Sequence, residues 1–185
     1  GNDRTPDYVF STDEVGAITV SPAGVQTATA NASAPPNNTT ITFTNGSGGD
    51  LDEATYSNVE ITVTDPAGNV SNTLSVTEFV IDITVPTLAQ DAIAVDQSVQ
   101  PNTITLTFSE PLETTQAGNV NNYGITYTIA SASINGAVVT LTLDTENPVD
   151  DGTYITTADI EAGIDVTPST NITDIATNAY GGDPV

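Results

Sequence analysis

An all-β fold arranged as two tandem β-sandwiches joined by a short linker is the architecture this sequence predicts, and three observations carry it. Apolar and polar residues alternate strictly in several short runs, a set of landmarks recurs at a fixed spacing, and turn-forming residues interrupt every apolar stretch. The chain has 185 residues, 37% of them hydrophobic and only 5% aromatic, so a core must be assembled from aliphatic side chains set on one face of each strand. That length suits two domains of ordinary size.

The alternation is clearest in residues 40–44, 60–64, 103–108 and 139–143. Ile61, Val63, Ile104, Leu106, Phe108, Val139 and Leu141 are the expected core positions, with the threonines between them facing water. No window of a dozen residues keeps a 3.6-residue period, so helices are expected to be rare or single-turn. Near the end of the first half the apolar positions change parity, from Leu74 and Val76 to Phe79, Ile81 and Ile83, which predicts a β-bulge at Thr77 and Glu78.

An internal repeat sets the domain organisation. Phe10-Ser11, followed by Asp13 and Glu14, matches Phe108-Ser109, followed by Glu110 and Glu113, and the run ending in Tyr56 matches the run ending in Tyr154, both at an offset of 98 residues. Asp65 and Asn69 match Asp174 and Asn178 at an offset of 109, which implies about 11 extra residues in the second copy near residues 160–170. The modules are therefore expected at residues 1–84 and 85–185, joined near Thr84-Val85-Pro86-Thr87. The same alignment leaves copy one without a first strand and copy two without a last one. The chain is then either an excerpt from a tandem array or a subunit that completes itself with a neighbour's strand.

The run from Tyr56 through Thr64-Asp65-Pro66-Ala67-Gly68-Asn69 to Leu74, closing with Phe79, Asp82 and residues 84–87, resembles the bacterial immunoglobulin-like repeats of large surface and biofilm adhesins. The second copy, with Phe108-Ser109-Glu110-Pro111-Leu112, Asn121-Asn122-Tyr123 and Thr173-Asp174-Ile175-Ala176-Thr177-Asn178, is similar to a sister repeat of surface-layer and secreted repeat proteins. Thr177 stands where that pattern has a glycine, and Ile83-Thr84-Val85-Pro86 varies the usual linker. The resemblance implies an immunoglobulin-like fold for both modules, a place on the cell surface and calcium at module junctions.

Charge narrows the function classes. The chain carries 24 acidic residues against one Arg, no Lys and no His, a formal net charge of −23. Phosphate backbones and anionic membrane surfaces are repelled, so nucleic acid and membrane are not expected partners, and no stretch reads as a signal peptide or membrane span. Without Cys, His or Lys, the familiar acid–base and nucleophile systems, disulfides and thiolate zinc sites are unavailable, and no catalysis is expected. Carboxylate-bound calcium is the staple that remains.

Strand parity places the candidate ligands. In a seven-strand sandwich alternate turns share a pole, which brings Glu110, Glu113, Asp174, Asn178 and the incoming Asp82 to one neighbourhood, with the loop bearing Asp50, Asp52 and Glu53 facing it. Asp13 and Asp65 are the first copy's counterparts. Converging carboxylates favour calcium, although Asp and Asn four residues apart are also good turn chemistry. Tyr56 and Tyr154 sit where a tyrosine corner would cap a loop, and Tyr123, Tyr127 and Tyr180 are expected as buried or scattered exposed rings rather than as a sugar-stacking row.

The expected function is a non-catalytic spacer of an extracellular adhesin or biofilm protein. Its partners would be neighbouring modules of the same chain or of neighbouring subunits, with surface glycans or host and abiotic surfaces met through the parent protein. The alternatives are a carbohydrate- or ligand-binding module of a secreted protein and a strand-exchanging subunit of a filament or surface layer.

Overall fold

The computed structural model describes residues 1–34, 37–96, 98, 101–144 and 164–181. The chain is all-β and divides into two compact units, Gly1–Ile83 and Thr84–Val185.

Unit 1 contains β1 (Asp7–Phe10), β2 (Gly16–Ser21), β3 (Gln26–Thr27), β4 (Asn31–Ala32), β5 (Thr39–Thr44), β6 (Ala54–Tyr56), β7 (Glu60–Thr64), β8 (Leu74–Ser75) and β9 (Phe79–Ile81). One antiparallel sheet has the order β1-β5-β3 and another β4-β2-β7-β8, with β6 paired to β9 beside them. Ile41 and Phe43 from the first sheet and Ile61 and Val63 from the second belong to one buried cluster, so the sheets face each other across a single core. Phe79 stacks on both Phe43 and Tyr56, at centroid distances of 5.6 and 5.1 Å. Among the described residues β1 has one strand partner, while Gly1 lies along β9, its ammonium donating to the Val80 carbonyl at 2.7 Å.

Unit 2 contains β10 (Leu88–Asp96), β11 (Thr103–Phe108), the single-turn helix α1 (Thr114–Ala117), β12 (Tyr123–Gly124), β13 (Ile129–Asn135), β14 (Val138–Leu143) and β15 (Thr167–Pro168). Its main sheet has the order β10-β11-β14-β13, and β12 pairs with β15. Alternation again selects the inward face: Ile104, Leu106, Phe108, Val139 and Leu141 are buried, and the threonines between them are half-buried or exposed. The Glu113 carboxylate caps α1 by accepting from the Thr115 and Gln116 N–H groups at 2.9 and 3.0 Å. Those two backbone bonds hold its pKa below the ordinary value.

The repeat is visible in strand register. Tyr8 faces Ile41 across β1 and β5, and Leu106 faces Val139 across β11 and β14, which is the same pairing shifted by 98 residues. The turns that follow Thr64 and Thr173 correspond equally well. The Asp65 N–H donates to the Asn69 carbonyl at 3.0 Å and the Asp174 N–H to the Asn178 carbonyl at 3.1 Å. Tyr154 and the loop around it lie outside the described residues.

The expected bulge at Thr77 and Glu78 is replaced by a different device. Tyr56 pairs with Phe79 and Glu60 with Ser75, so the register is unchanged across the interruption and no extra residue is inserted. Both strands break together: Asn58 takes a left-handed φ of 57°, and the Val76 N–H bonds the Val59 carbonyl at 2.8 Å across the gap. The parity change read in one strand is matched in its partner, where Tyr56 and Val59 mark the same switch. Asn tolerates the left-handed region better than most side chains, which lets the chain flip faces without a bulge.

Two substitutions test this account. A Cβ at Gly16 would lie 2.5 Å from the Thr64 carbonyl oxygen, where β2 crosses close to β7. Gly16→Ala is therefore expected to destabilise unit 1 by about 1–3 kcal/mol in urea unfolding. Thr177 holds a φ of 76° where its counterpart Gly68 holds 91°. A β-branched residue is strained there, so Thr177→Gly should raise the stability of unit 2 by about 1 kcal/mol, read as an upward shift of its melting transition.

Candidate metal centre

The site in unit 2 is built on the turn that follows residue 173. Asp174 is fully buried, and its carboxylate is gripped by one residue: the Asn178 N–H donates to Oδ1 and the Asn178 Nδ2 to Oδ2, both at 2.8 Å. A β-bridge between Leu112 and Asp174, and a bond from the Glu113 N–H to the Thr173 carbonyl at 2.8 Å, pin the loop after β11 against this turn. The consequence is that Glu110, half-buried, offers a carboxylate oxygen within 4.8 Å of one from Asp174.

Two carboxylates at that separation repel unless a shared proton or a cation lies between them. Ligand oxygens around calcium lie roughly 2.3–2.6 Å from the ion, so two on opposite sides span about 5 Å, which fits this spacing. Each oxygen of Asp174 accepts one bond from Asn178 and keeps a lone pair for an ion. The donor set is hard oxygen, suited to calcium or magnesium and unsuited to soft metals.

In unit 1 the same turn recurs with less burial. Asp65 accepts from the Asn69 N–H at 2.8 Å and from Asn69 Nδ2 at 2.7 Å. The Asn69 side-chain bond, then its backbone bond, hold the Asp65 carboxyl below its ordinary value. Asp13 is exposed and shares a cleft wall with Asp65. Among the described residues these two join no group of three acidic ligands.

The remaining sequence candidates belong to unit 1. Arg4, the chain's one basic side chain, reaches Asp50 at 3.2 Å and Asp52 at 3.9 Å, and its Nε donates to the Leu51 carbonyl at 2.9 Å. Asp50 and Asp52 are thus paired with a cation of the chain itself. The signal that could have found this was arithmetic: one cation among 24 acids will be sought by several. Glu53 Oε2 accepts from the Ile83 N–H at 3.3 Å, and the half-buried Asp82 donates its N–H to the Gly1 carbonyl at 3.0 Å.

Aromatic placement bears on ligand binding. The Tyr56 hydroxyl donates to the Asp52 carbonyl at 3.0 Å, the loop-capping role of a tyrosine corner. Tyr123 is buried with its hydroxyl on the Ala117 carbonyl at 2.6 Å, and burial pushes its pKa up. Tyr180 is buried edge-on to Phe108, and Tyr127 packs against the same core. No helix among the described residues is long and apolar enough to cross a membrane. No family model, curated protein or solved structure matches the chain.

The Asp65 turn makes a pH-dependent prediction. A carboxyl whose folded pKa is depressed contributes stability above its unfolded pKa and loses it as pH falls through the folded value. Asp65→Asn should therefore lower the melting temperature of unit 1 at neutral pH. The difference from the wild type should shrink as the pH drops below 3.8, the ordinary aspartate value, when followed by circular dichroism.

Proposed function

We propose that the chain is a non-catalytic, extracellular structural region of a bacterial cell-surface adhesin or biofilm protein, two immunoglobulin-like modules that act as a spacer. The observation that supports this best is the duplication: two units repeat one strand register and one Asp–Asn turn, although their remaining loops differ. A repeated module suits a role in which reach matters more than recognition. In unit 1 the order β1-β5-β3 against β4-β2-β7-β8 agrees with the B-E-D and C-F-G sheets of an immunoglobulin-like sandwich, and so does the Tyr56 corner. The sequence pattern of residues 56–87 resembles adhesin repeats, and the acidic composition suits a calcium-rich setting.

In this reading calcium stiffens the module junction. Within unit 2 Glu110 and Asp174 supply two carboxylates and Asn178 orients Asp174; Asp82, two residues before Thr84 in sequence, is the further ligand that strand parity adds from the linker. Neighbouring modules of the same chain are the partners, and any glycan or surface is met by other parts of the parent protein. A second reading, a strand-exchanging subunit of a filament, is favoured by one observation: the outer edge of β1 is open among the described residues, where its counterpart β11 is covered by β10.

Calcium titration with small-angle scattering tests the first reading. Millimolar calcium should raise the melting temperature and lengthen the particle, and at a hundredfold excess over the dissociation constant the stabilisation should be about 2.7 kcal/mol. Glu110→Gln should remove both effects while leaving the units folded. No response of the wild type to calcium would reduce these carboxylates to turn and surface residues. A mass that grows with concentration would instead favour strand exchange.

A further inference from the structure

Unit 1 holds a cleft of about 940 Å³ between the loop after β1 and the turn after β7. Val15, Val70 and Leu74, three large apolar side chains that unit 1 leaves exposed, line it, and so do Asp13, Glu14 and Asp65. Exposed apolar groups gathered in a concave site and flanked by charge mark a place of recognition more often than a lone exposed valine does.

The sister unit shows what the cleft lacks. By the 98-residue offset Glu14 corresponds to Leu112, and by the 109-residue offset Ser71 corresponds to Tyr180. Leu112 is 3% and Tyr180 2% exposed in unit 2, where the Tyr180 ring lies edge-on to Phe108 with centroids 5.9 Å apart. Phe10, the counterpart of Phe108, lines the cleft of unit 1. At the second of these positions the supporting backbone is the same in both units: the Ser71 N–H donates to the Val63 carbonyl and the Tyr180 N–H to the Ile172 carbonyl, each at 2.8 Å. The Ser71 hydroxyl oxygen accepts from the Val63 N–H at 3.0 Å, so this side chain turns back on its own strand pair. The shared frame thus carries an aromatic plug in unit 2 and a hydroxyl in unit 1, and the loop beside it brings an aliphatic side chain in one unit and a carboxylate in the other.

We infer that the unit 1 cleft is a socket for an extended peptide segment of a partner protein, one that presents an aromatic and an aliphatic side chain beside basic residues. Tyr180 and Leu112 set the size and character of the two anchors, because Tyr180 stands on the matching frame and Leu112 on the loop beside it. The acidic rim sets the flanking charge, since cations beside the anchors would meet Asp13, Glu14 and Asp65. A second copy of this chain is a poor occupant: at a net charge of −23 it is repelled, and its single Arg4 is already paired with Asp50. The socket is independent of calcium and of the spacer reading.

The test titrates the full chain with a synthetic lysine-tyrosine-lysine-leucine-lysine peptide, following backbone amide shifts and calorimetric affinity. Shifts should centre on Val15, Val70, Ser71 and Leu74, and replacing the peptide's tyrosine and leucine by serine should weaken binding at least about tenfold. Glu14→Leu combined with Ser71→Tyr should fill the socket and abolish the preference for the anchored peptide. Because that pair alters packing, Val70→Glu provides the second reading from an exposed position: it should weaken the anchored peptide about tenfold with the melting temperature unchanged. Equal affinity for the serine peptide, shifts spread over the acidic surface, or tighter binding to Val70→Glu would each overturn the socket and leave only attraction between opposite charges.

Discussion

Everything in this molecule depends on placing aliphatic side chains on one face of threonine-rich strands. With no cysteine to cross-link it, the chain is held by burial of Ile41, Phe43, Ile61 and Val63 in one unit and of Ile104, Leu106, Val139 and Leu141 in the other. A fully buried aliphatic side chain contributes roughly 1.5–3 kcal/mol relative to exposure, so a small set of such positions is comparable to a domain's entire net stability. A slip of one residue would turn each of these faces to water, and for that reason the register between β1 and β5 recurs unchanged between β11 and β14.

That shared frame leaves the loops free to diverge, and the differences between the units arise there. The Asp–Asn clasp is common to both, but the loop after β11 folds onto it through Leu112, whereas the loop after β1 leaves a cleft. The same turn therefore supports a tight carboxylate pair in one unit and an open, acid-rimmed groove in the other. Arg4 illustrates a different use of charge. Its backbone carbonyl accepts from the Leu51 N–H at 2.9 Å while its side chain grips both flanking aspartates, anchoring the segment before β1 to a loop 47 residues away.

What the sequence made legible follows from the range of each interaction. The alternating strands and the Asp65–Asn69 turn depend on neighbours within a few residues, and the pattern exposed them directly. The Tyr56 corner was legible for the same reason, its hydroxyl reaching only four residues back. The Arg4 clamp and the seating of Tyr180 on Phe108 join residues distant in sequence, so spacing alone gave no sign of them. The break at Asn58 was half legible: the parity change was visible in residues 74–83, but its matching switch in the partner strand showed only once the pairing was known. Strand parity assigns Glu113 to the acidic cluster, yet it caps α1, because a helix of one turn is too short to leave a period.

The central claim is that one all-β module occurs twice, each copy with a core of its own. Producing residues 1–83 and 84–185 as separate chains and melting each by calorimetry tests it most directly. The account predicts a cooperative transition for each fragment, with calorimetric and van't Hoff enthalpies in agreement. A fragment that shows no transition and lacks a β-type circular dichroism spectrum would contradict it, since its core would then depend on residues beyond its own unit.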